Sequence, residues 1–321
     1  MSDPAVSVVM PTYNAEAFVD AAVASVRGQT FSDFELIIVD DGSDDHTIEI
    51  LLRHLAADRR IQVLRKPHRG ICEALNDAIA VASGAYIARM DADDIALASR
   101  LERQVAALSA RPSVAVVGSN YEIIDATGAK RGASDLPTDS AEIRAALERS
   151  NCIAHPTVLM RRDAFLAIEG YRRAFRQCED YDLWVRLSER YDLINLAEPT
   201  LRYRQHPGQL EWRDVEQRAL SMLGVRASAQ RRREGLPDPA ERFHQVTREY
   251  LHEVGMDDRS ISEGVTRWAV AAAAIALASG QPHAARNALA VAQRQPHLRI
   301  TARLRCCLIR ARSFSPLGRR G

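Results

Sequence analysis

The sequence predicts an α/β protein: a mainly parallel sheet flanked by helices, followed by an α-helical C-terminal extension. Three observations carry this. Short apolar runs alternate with stretches of helical spacing through about the first ninety residues, with short loops between them. Acidic residues stand where two of those runs end, at Asp40-Asp41 and at Asp91-Asp93. From Glu211 onward the strand signal vanishes and only helical spacing remains. The expected domains are residues 1–210, divided into halves 1–95 and 96–210, and a helical extension 211–321.

Val6-Ser7-Val8-Val9-Met10 reads as a buried strand ended by Pro11, with Thr12-Tyr13-Asn14 as the turn. Phe18, Ala21, Ala22, Val23 and Val26 then recur at helical spacing up to Gly28. Glu35–Val39 is a second strand and runs into Asp40-Asp41-Gly42-Ser43; a helix from about Asp45 to Ala57 carries Ile48, Leu51, Leu52 and Leu55 on one face. Ile61–Leu64 is a third strand, Gly70–Ala82 a third helix, and Tyr86–Met90 a fourth strand. Short loops between alternating strands and helices favour a parallel sheet covered on both faces.

Farther on, Val114–Gly118 reads as a strand, Tyr121–Ile124 as an extended piece, residues 129–138 as a loop and Ser140–Arg149 as a helix. The apolar run Val158-Leu159-Met160 follows His155-Pro156. Helices are expected over 212–230, 240–254, 262–279, 284–294 and 300–312.

The 321 residues are 46% hydrophobic and 26% charged, with a net charge of +1, so no global field argues for nucleic acid. No stretch reaches the roughly 20 apolar residues that span a bilayer. The N-terminus lacks a basic region and a long apolar run, so it does not read as a secretory signal. Cys72, Cys152, Cys178, Cys306 and Cys307 match no zinc or redox spacing, which makes a reduced, cytoplasmic protein the default. There is no GxGxxG after the first strand and no GxxxxGK[ST] anywhere, which argues against dinucleotide and P-loop chemistry.

Asp91-Ala92-Asp93-Asp94 sets three carboxylates at the end of a buried strand, where each needs a cation, a donor or water. Two readings fit. One is a solvated turn in which Asp94 or Ser99 caps the next helix. The other is a site for Mg²⁺ or Mn²⁺, because Asp91 and Asp93 point to the same side of an extended backbone. Such ions are held by one or two carboxylates plus substrate phosphates. A second acidic pair, Asp40-Asp41, on the same sheet edge favours a ligand crevice.

The order of PTYN (Pro11–Asn14), VDDGS (Val39–Ser43), ALNDAI (Ala74–Ile79) and GAYIARMDADD (Gly84–Asp94) resembles that of the family 2 glycosyltransferases. The resemblance continues through HPTVLMRR (His155–Arg162), GYR (Gly170–Arg172) and CEDYDLWVRL (Cys178–Leu187), and ends near YRQH (Tyr203–His206). It covers roughly the first 210 residues. It implies a GT-A-like fold and a nucleotide-sugar donor, a UDP-sugar first. By the same resemblance Pro11, Thr12 and Tyr13 line the base and ribose pocket, and Asp40 and Asp41 meet the nucleoside, with Asp41 on a base N–H. Arg69 and Asn76 line the nucleotide cleft. Asp91-Ala92-Asp93 looks like the DxD motif that holds the divalent metal, with Asp93 as first ligand. Two departures are small: Ala98-Ser99 precede Arg100-Leu101 where many relatives have Pro, and Asp77 stands where a small residue is common.

His155 is either structural or, by the resemblance, on the sheet facing the acceptor; Trp184 belongs with it as an acceptor contact. Glu179-Asp180 open a helix, where acids suit the dipole. The resemblance makes them the family's ED motif, with Asp180 as general base and Glu179 tuning it or binding the acceptor. A base is needed because the acceptor hydroxyl must lose its proton as it attacks. His206 is either a loop residue or a contributor to the metal or diphosphate.

The stretch Leu298–Arg312 is basic and amphipathic. It either packs on its own domain or lies on an anionic membrane surface, at the inner membrane face. Arg231-Arg232-Arg233 has little else behind a nucleic-acid reading. The expected function is a metal-dependent inverting transfer to a glycan or lipid-linked acceptor in cell-surface glycan synthesis. A sugar-phosphate nucleotidyltransferase and a non-catalytic nucleotide-sugar-binding module are the rivals.

Overall fold

A computed structural model describes residues 3–206, 214–278 and 280–296. The backbone divides into two compact units, Met1–Pro207 and Gly208–Gly321.

The first unit begins with the alternation that the apolar runs dictate. β1 (Val6–Thr12), α1 (Val19–Arg27), β2 (Phe34–Asp40), α2 (Thr47–Ala57), β3 (Ile61–Arg65), α3 (Ile71–Val81) and β4 (Tyr86–Arg89) follow in order. β1 pairs in parallel with β2 and with β4, and β2 in parallel with β3. Val8, Met10, Leu36 and Ile38 are buried and pack against Val19, Val23 and Val26 of α1. Each such side chain contributes about 1.5–3 kcal/mol by leaving water. Pro11 lies within β1 rather than ending it, in register with Val39. The ladder to β4 has already stopped at Val9, so the missing N–H of Pro11 costs no bond on that side.

The remaining strands are β5 (Ile95–Ala96), β6 (Val114–Asp125), β7 (Lys130–Ala133), β8 (Leu159–Arg161) and β9 (Asp192–Gln205). The sheet has nine strands in the order β3-β2-β1-β4-β8-β6-β9-β5, with β7 alongside β6. β8 runs antiparallel to β4 and β6, while β9 runs parallel to β6. The helices α4 (Arg100–Ser109), α5 (Ser140–Leu147), α6 (Arg162–Leu166) and α7 (Glu179–Ser188) complete this unit among the described residues.

Several expectations change here. The pieces 114–118 and 121–124 are one strand, with register shifts between Val114 and Val116 and between Ser119 and Tyr121. The expected loop 129–138 contains β7. β9 carries no alternation to betray it: Glu198 and Pro199 interrupt its apolar residues. Neither Asp94 nor Ser99 caps α4: Ser99 makes no side-chain cap bond, and Asp94 accepts from the distant Arg204 N–H.

α4 is fixed by a buried polar spine. Arg100 is 2% exposed, and its guanidinium donates to Gln104 Oε1 at 3.1 Å, Arg89 O at 2.6 Å and Val158 O at 3.2 Å. Burial lowers its pKa to about 10. Gln104 passes two bonds onward, to Val117 O at 2.8 Å and Thr157 O at 2.6 Å. The carbonyls of β4, β6 and the strand entering β8 are thereby tied to one helix, next to the start of the acidic loop.

The second unit is helical: α8 (Val215–Arg233), α9 (Arg248–Glu253), α10 (Asp258–Ala278) and α11 (Pro282–Gln293). Asp214 and Thr247 cap α8 and α9 through their side chains. The single helix expected over 240–254 is broken, because Thr247 is extended where it caps α9. No described helix is long and apolar enough to cross a membrane. The basic stretch 298–312 and Trp212 lie outside the described residues.

Gly84 precedes β4 where two backbones touch: a Cβ there would lie 2.6 Å from Ser7 N and 2.8 Å from Ser7 Oγ. Gly84→Ala is expected to destabilise the fold by about 1–3 kcal/mol, as overpacking against backbone does. A urea melt with a lowered midpoint and an unchanged slope checks it.

Candidate active site

The strand order places the site. β1 has β2 on one side and β4 on the other, so chain direction across the sheet reverses at β1 and β4. A crevice opens outside the carboxyl ends of strands at such a switch point. Thr12-Tyr13-Asn14, Asp40-Asp41 and Asp91–Asp94 all leave the sheet at that edge.

The first two loops are stitched together. Asp41 N–H donates to Thr12 O at 2.9 Å, Asn14 N–H to Ser43 Oγ at 3.0 Å, and Asp44 N–H to Asn14 Oδ1 at 3.0 Å. Thr12 is 2% exposed and its hydroxyl donates to Val39 O at 3.1 Å, so its side chain faces the sheet and not a pocket. Pro11 is half-buried behind it. Tyr13 is exposed and its ring stacks on His68 with centroids 4.2 Å apart.

Asp40 and Asp41 divide their work. Asp40 is fully buried: one oxygen accepts from Ser43 N–H at 3.2 Å, while the other has no hydrogen bond and lies 3.6 Å from Arg65 Nε. Asp41 accepts from Arg69 N–H at 2.8 Å and Gly70 N–H at 2.9 Å, and lies 2.9 Å from His68 Nδ1. Its carboxylate thus organises the loop between β3 and α3. The side chain of Arg69 turns to Asp77, which Lys66 also approaches at 3.7 Å. Asp77, the departure noted in the sequence, is the anchor of that loop.

Asp91, Asp93 and Asp94 each offer an oxygen, and these lie within 4.8 Å of one another. Each acid has a different companion. Asp91 pairs with the buried Arg89. Asp93 lies 3.0 Å from His206 Nε2. Asp94 is fully buried, accepts from Arg204 N–H at 2.8 Å through Oδ1, and has no hydrogen bond to Oδ2. Burial first, then the charges of Asp93 and Asp91, hold the Asp94 carboxyl well above the usual carboxylate range. Burial also raises Asp91; Arg89 opposes this, and Asp93 and Asp180 add to it. Clustered hard oxygens with a bare buried one suit a divalent cation of the Mg²⁺ or Mn²⁺ kind. Ala92 is 8% exposed and serves as the spacer.

The charge of Asp180, at the start of α7, reaches Asp91 and adds to its raised carboxyl. Asp180 is partly exposed and accepts from Asn151 Nδ2 at 2.7 Å. Glu179 is 8% exposed, 3.7 Å from His155 Nδ1. His155 Nε2 lies 2.7 Å from Tyr171 Oη. Burial, then nearby Arg89, holds His155 well below the usual imidazole range, so it is neutral. Behind them Asp182 is fully buried between Arg172 and Arg186, and Arg186 also donates to Ile168 O and Gly170 O at 2.6 Å.

Two expected contacts are placed elsewhere. Trp184 is fully buried and meets His155 edge-on at 5.8 Å, so it backs the wall and cannot touch an acceptor. The Asn76 amide is committed to the backbone of Tyr171: Nδ2 donates to Tyr171 O at 2.9 Å and Oδ1 accepts Tyr171 N–H at 3.2 Å. It joins α3 to the GYR turn instead of lining a cleft. Gly170, with φ of 70°, is required there: a Cβ would lie 2.9 Å from Asn76 Oδ1. Arg89, Arg100, Arg204, Asn151 and Tyr171 shape the site without having been singled out in the sequence. Arg89, Tyr171 and Arg204 stand inside the motifs GAYIARMDADD, GYR and YRQH and Arg100 beside Ala98-Ser99, without a role of their own, and Asn151 left no trace.

The profile of the family described as Glycosyl transferase family 2 matches residues 7–168. The O-antigen biosynthesis glycosyltransferase WbnJ of Escherichia coli is 35% identical over 205 residues, 63% of this chain and 80% of WbnJ. The solved structure of TarS 1–349 from S. aureus in complex with UDP-GlcNAc has a TM-score of 0.61 at 18% identity, over 98% of this chain and 88% of that one. The mannosyltransferase PcManGT from Pyrobaculum calidifontis, in complex with GDP-Man and Mn²⁺, has a TM-score of 0.54 at 17% identity, over 97% of this chain and 88% of that one. Both structures share the GT-A fold with the present chain.

Two outcomes follow for stability. As pH falls below the ordinary imidazole value of 6.5, the unfolded chain takes up a proton that folded His155 refuses. Stability from neutral burial is therefore full above about pH 6.5 and lost below it. Denaturant midpoints measured down this range are expected to fall, and to fall less in His155→Gln. Asn76→Ala strips two partners from the Tyr171 backbone and is expected to cost about 1–3 kcal/mol in the same melts.

Proposed function

The chain belongs to glycosyl transferase family 2, and on that premise we propose that it is a metal-dependent inverting enzyme. It moves a sugar from a nucleotide-sugar to an acceptor hydroxyl. The observation that supports the reading is the cluster of Asp91, Asp93 and Asp94 at one sheet edge, with the Asp180 charge near enough to add to the raised Asp91 carboxyl.

Asp93, Asp91 and His206 would hold the metal; their oxygens and imidazole nitrogen are the donor types such ions accept. When bound, Mn²⁺ or Mg²⁺ supplies positive charge that neutralises a leaving diphosphate. Tyr13 and His68 offer ring faces to a base, and Asp40 and Asp41 lie at the nucleoside end. Asp180, steadied by Asn151, accepts the acceptor's proton as its oxygen bonds to the anomeric carbon. The bond from that carbon to the diphosphate oxygen breaks with its electron pair on the nucleotide. One displacement inverts the centre. Glu179 and neutral His155 form the acceptor-side wall.

A UDP-sugar is the first-choice donor, supported by the fold shared with TarS bound to UDP-GlcNAc; PcManGT with GDP-Man keeps a second base in play. The kinship with WbnJ, named for O-antigen biosynthesis, supports surface polysaccharide synthesis, for which we take the acceptor to be a glycan or lipid-linked. A lipid-linked acceptor would place the reaction at the inner membrane face, which the basic stretch 298–312 suits.

Thermal-shift screening of UDP-, GDP- and TDP-sugars with Mn²⁺ identifies the donor by its stabilisation of the folded state. Asp93→Ala is expected to abolish the Mn²⁺-dependent shift. Asp180→Asn is expected to keep that shift while transfer falls about 10²–10⁴-fold. Full turnover by Asp180→Asn would remove the base; release of inorganic diphosphate from a nucleoside triphosphate would replace the reaction.

A further inference from the structure

Asp94 is the acid of the cluster that the proposed chemistry leaves unused. It is fully buried, and its Oδ1 accepts the backbone N–H of Arg204 at 2.8 Å, across 110 residues of sequence. That bond does not stand alone. Arg204 Nε donates to Asp93 O at 2.7 Å, and its Nη1 donates to Asp125 O at 3.2 Å and Ala126 O at 3.1 Å. β5 continues the contact by pairing Ile95 with Arg202 and Ala96 with Leu201, and Leu97 N–H reaches Thr200 O at 2.9 Å. Phe18 closes the other side, its ring 4.8 Å from the Arg204 guanidinium and 4.8 Å from the His206 ring.

The end of β9 is thus sewn to the acidic loop along its length, and the stitch nearest the end is Asp94. His206 stands two residues beyond Arg204 and reaches Asp93 Oδ2 at 3.0 Å. We propose that Asp94 is a positioning residue, which holds the Arg204 amide so that His206 and Asp93 face one another as a pair. This rests on reading Asp93 and His206 as metal ligands. Asp94 acts through the acceptor oxygen it gives to a backbone amide, and not as a third ligand. Its Oδ1 is committed to Arg204 N–H, while its buried Oδ2 has no hydrogen bond, and ligation through Oδ2 is the rival role that Asp94→Asn separates from positioning. Residues that orient ligands in this way are worth roughly 10–100-fold in metal affinity.

The two roles respond differently to Asn. Asp94→Asn keeps an oxygen for the Arg204 amide and removes the carboxylate a ligand would need. Mn²⁺ alone, titrated by loss of its free spin-resonance signal, gives the affinity. Expected is a roughly tenfold weakening in His206→Ala and in Asp94→Ala, no further loss in the double variant, and near wild-type affinity in Asp94→Asn. Hydrogen exchange at the Arg204 amide is expected to quicken in Asp94→Ala and to stay slow in Asp94→Asn. Asp94→Ser, one bond shorter than Asp, replaces Asp94→Ala if that variant does not fold. The inference is overturned if the double variant loses the product of the two single effects, if Asp94→Asn is as weak as Asp94→Ala, or if Arg204 exchange is unchanged. Failure of the wild-type protein to take up Mn²⁺ overturns the metal reading itself, and this inference with it.

Discussion

Parallel pairing of β1 to both β2 and β4 is the constraint from which the site follows. It brings three chain ends to one edge and leaves a gap where the connections part in opposite directions. Loop bonds stitch Thr12–Asn14 to Asp41–Asp44, but nothing in the loops would bring Asp91 to the same edge. These segments meet because Val6–Thr12 is apolar enough to be buried from both sides, and a strand so buried takes two neighbours. The antiparallel strand β8 then turns the sheet's second half round, and the charge of Asp180, at the start of α7, reaches Asp91.

Such a concentration of acids needs compensation, and it comes from inside. Arg89, Arg100 and Arg204 are all buried, at 2%, 2% and 5% exposure. Arg89 answers Asp91 directly, while Arg100 and Arg204 spend their donors mainly on backbone carbonyls. The guanidinium suits this work because it is planar, always charged and rich in donors. Burial raises the Asp91 and Asp94 carboxyls, and repulsion from the neighbouring acids adds to it. A folded state with that residual repulsion is one that a doubly charged cation would relieve.

The half 1–95 was legible because β1, β2 and β4 are buried on both faces and read as continuous apolar runs. β5 and β9 were not. β5 has two residues, too few for any period, and β9 carries Glu198 and Pro199 in mid-strand. The acids of the site were legible too, since carboxylates are conspicuous at the end of an apolar run. Their arginine partners were not, because an arginine in sequence is indistinguishable from a surface residue. Asn76 and Trp184 show the limit of reading roles position by position. Each lies near the expected place in the chain, yet the Asn76 amide is consumed by Tyr171 and the Trp184 ring is sealed behind His155. Where a side chain stands in sequence says little about which way it faces.

The two ends of the nine-stranded sheet have a further consequence. One border is β3, five residues long and carrying Gln62 and Arg65; the other is β5, only two residues long, and β7, off this path beside β6, has four residues with Lys130 and Arg131. An open sheet of this width would normally offer stray chains a template for pairing, and short or charged borders withhold it. Borders of this kind give a wide, strongly apolar sheet little template for pairing with copies of itself.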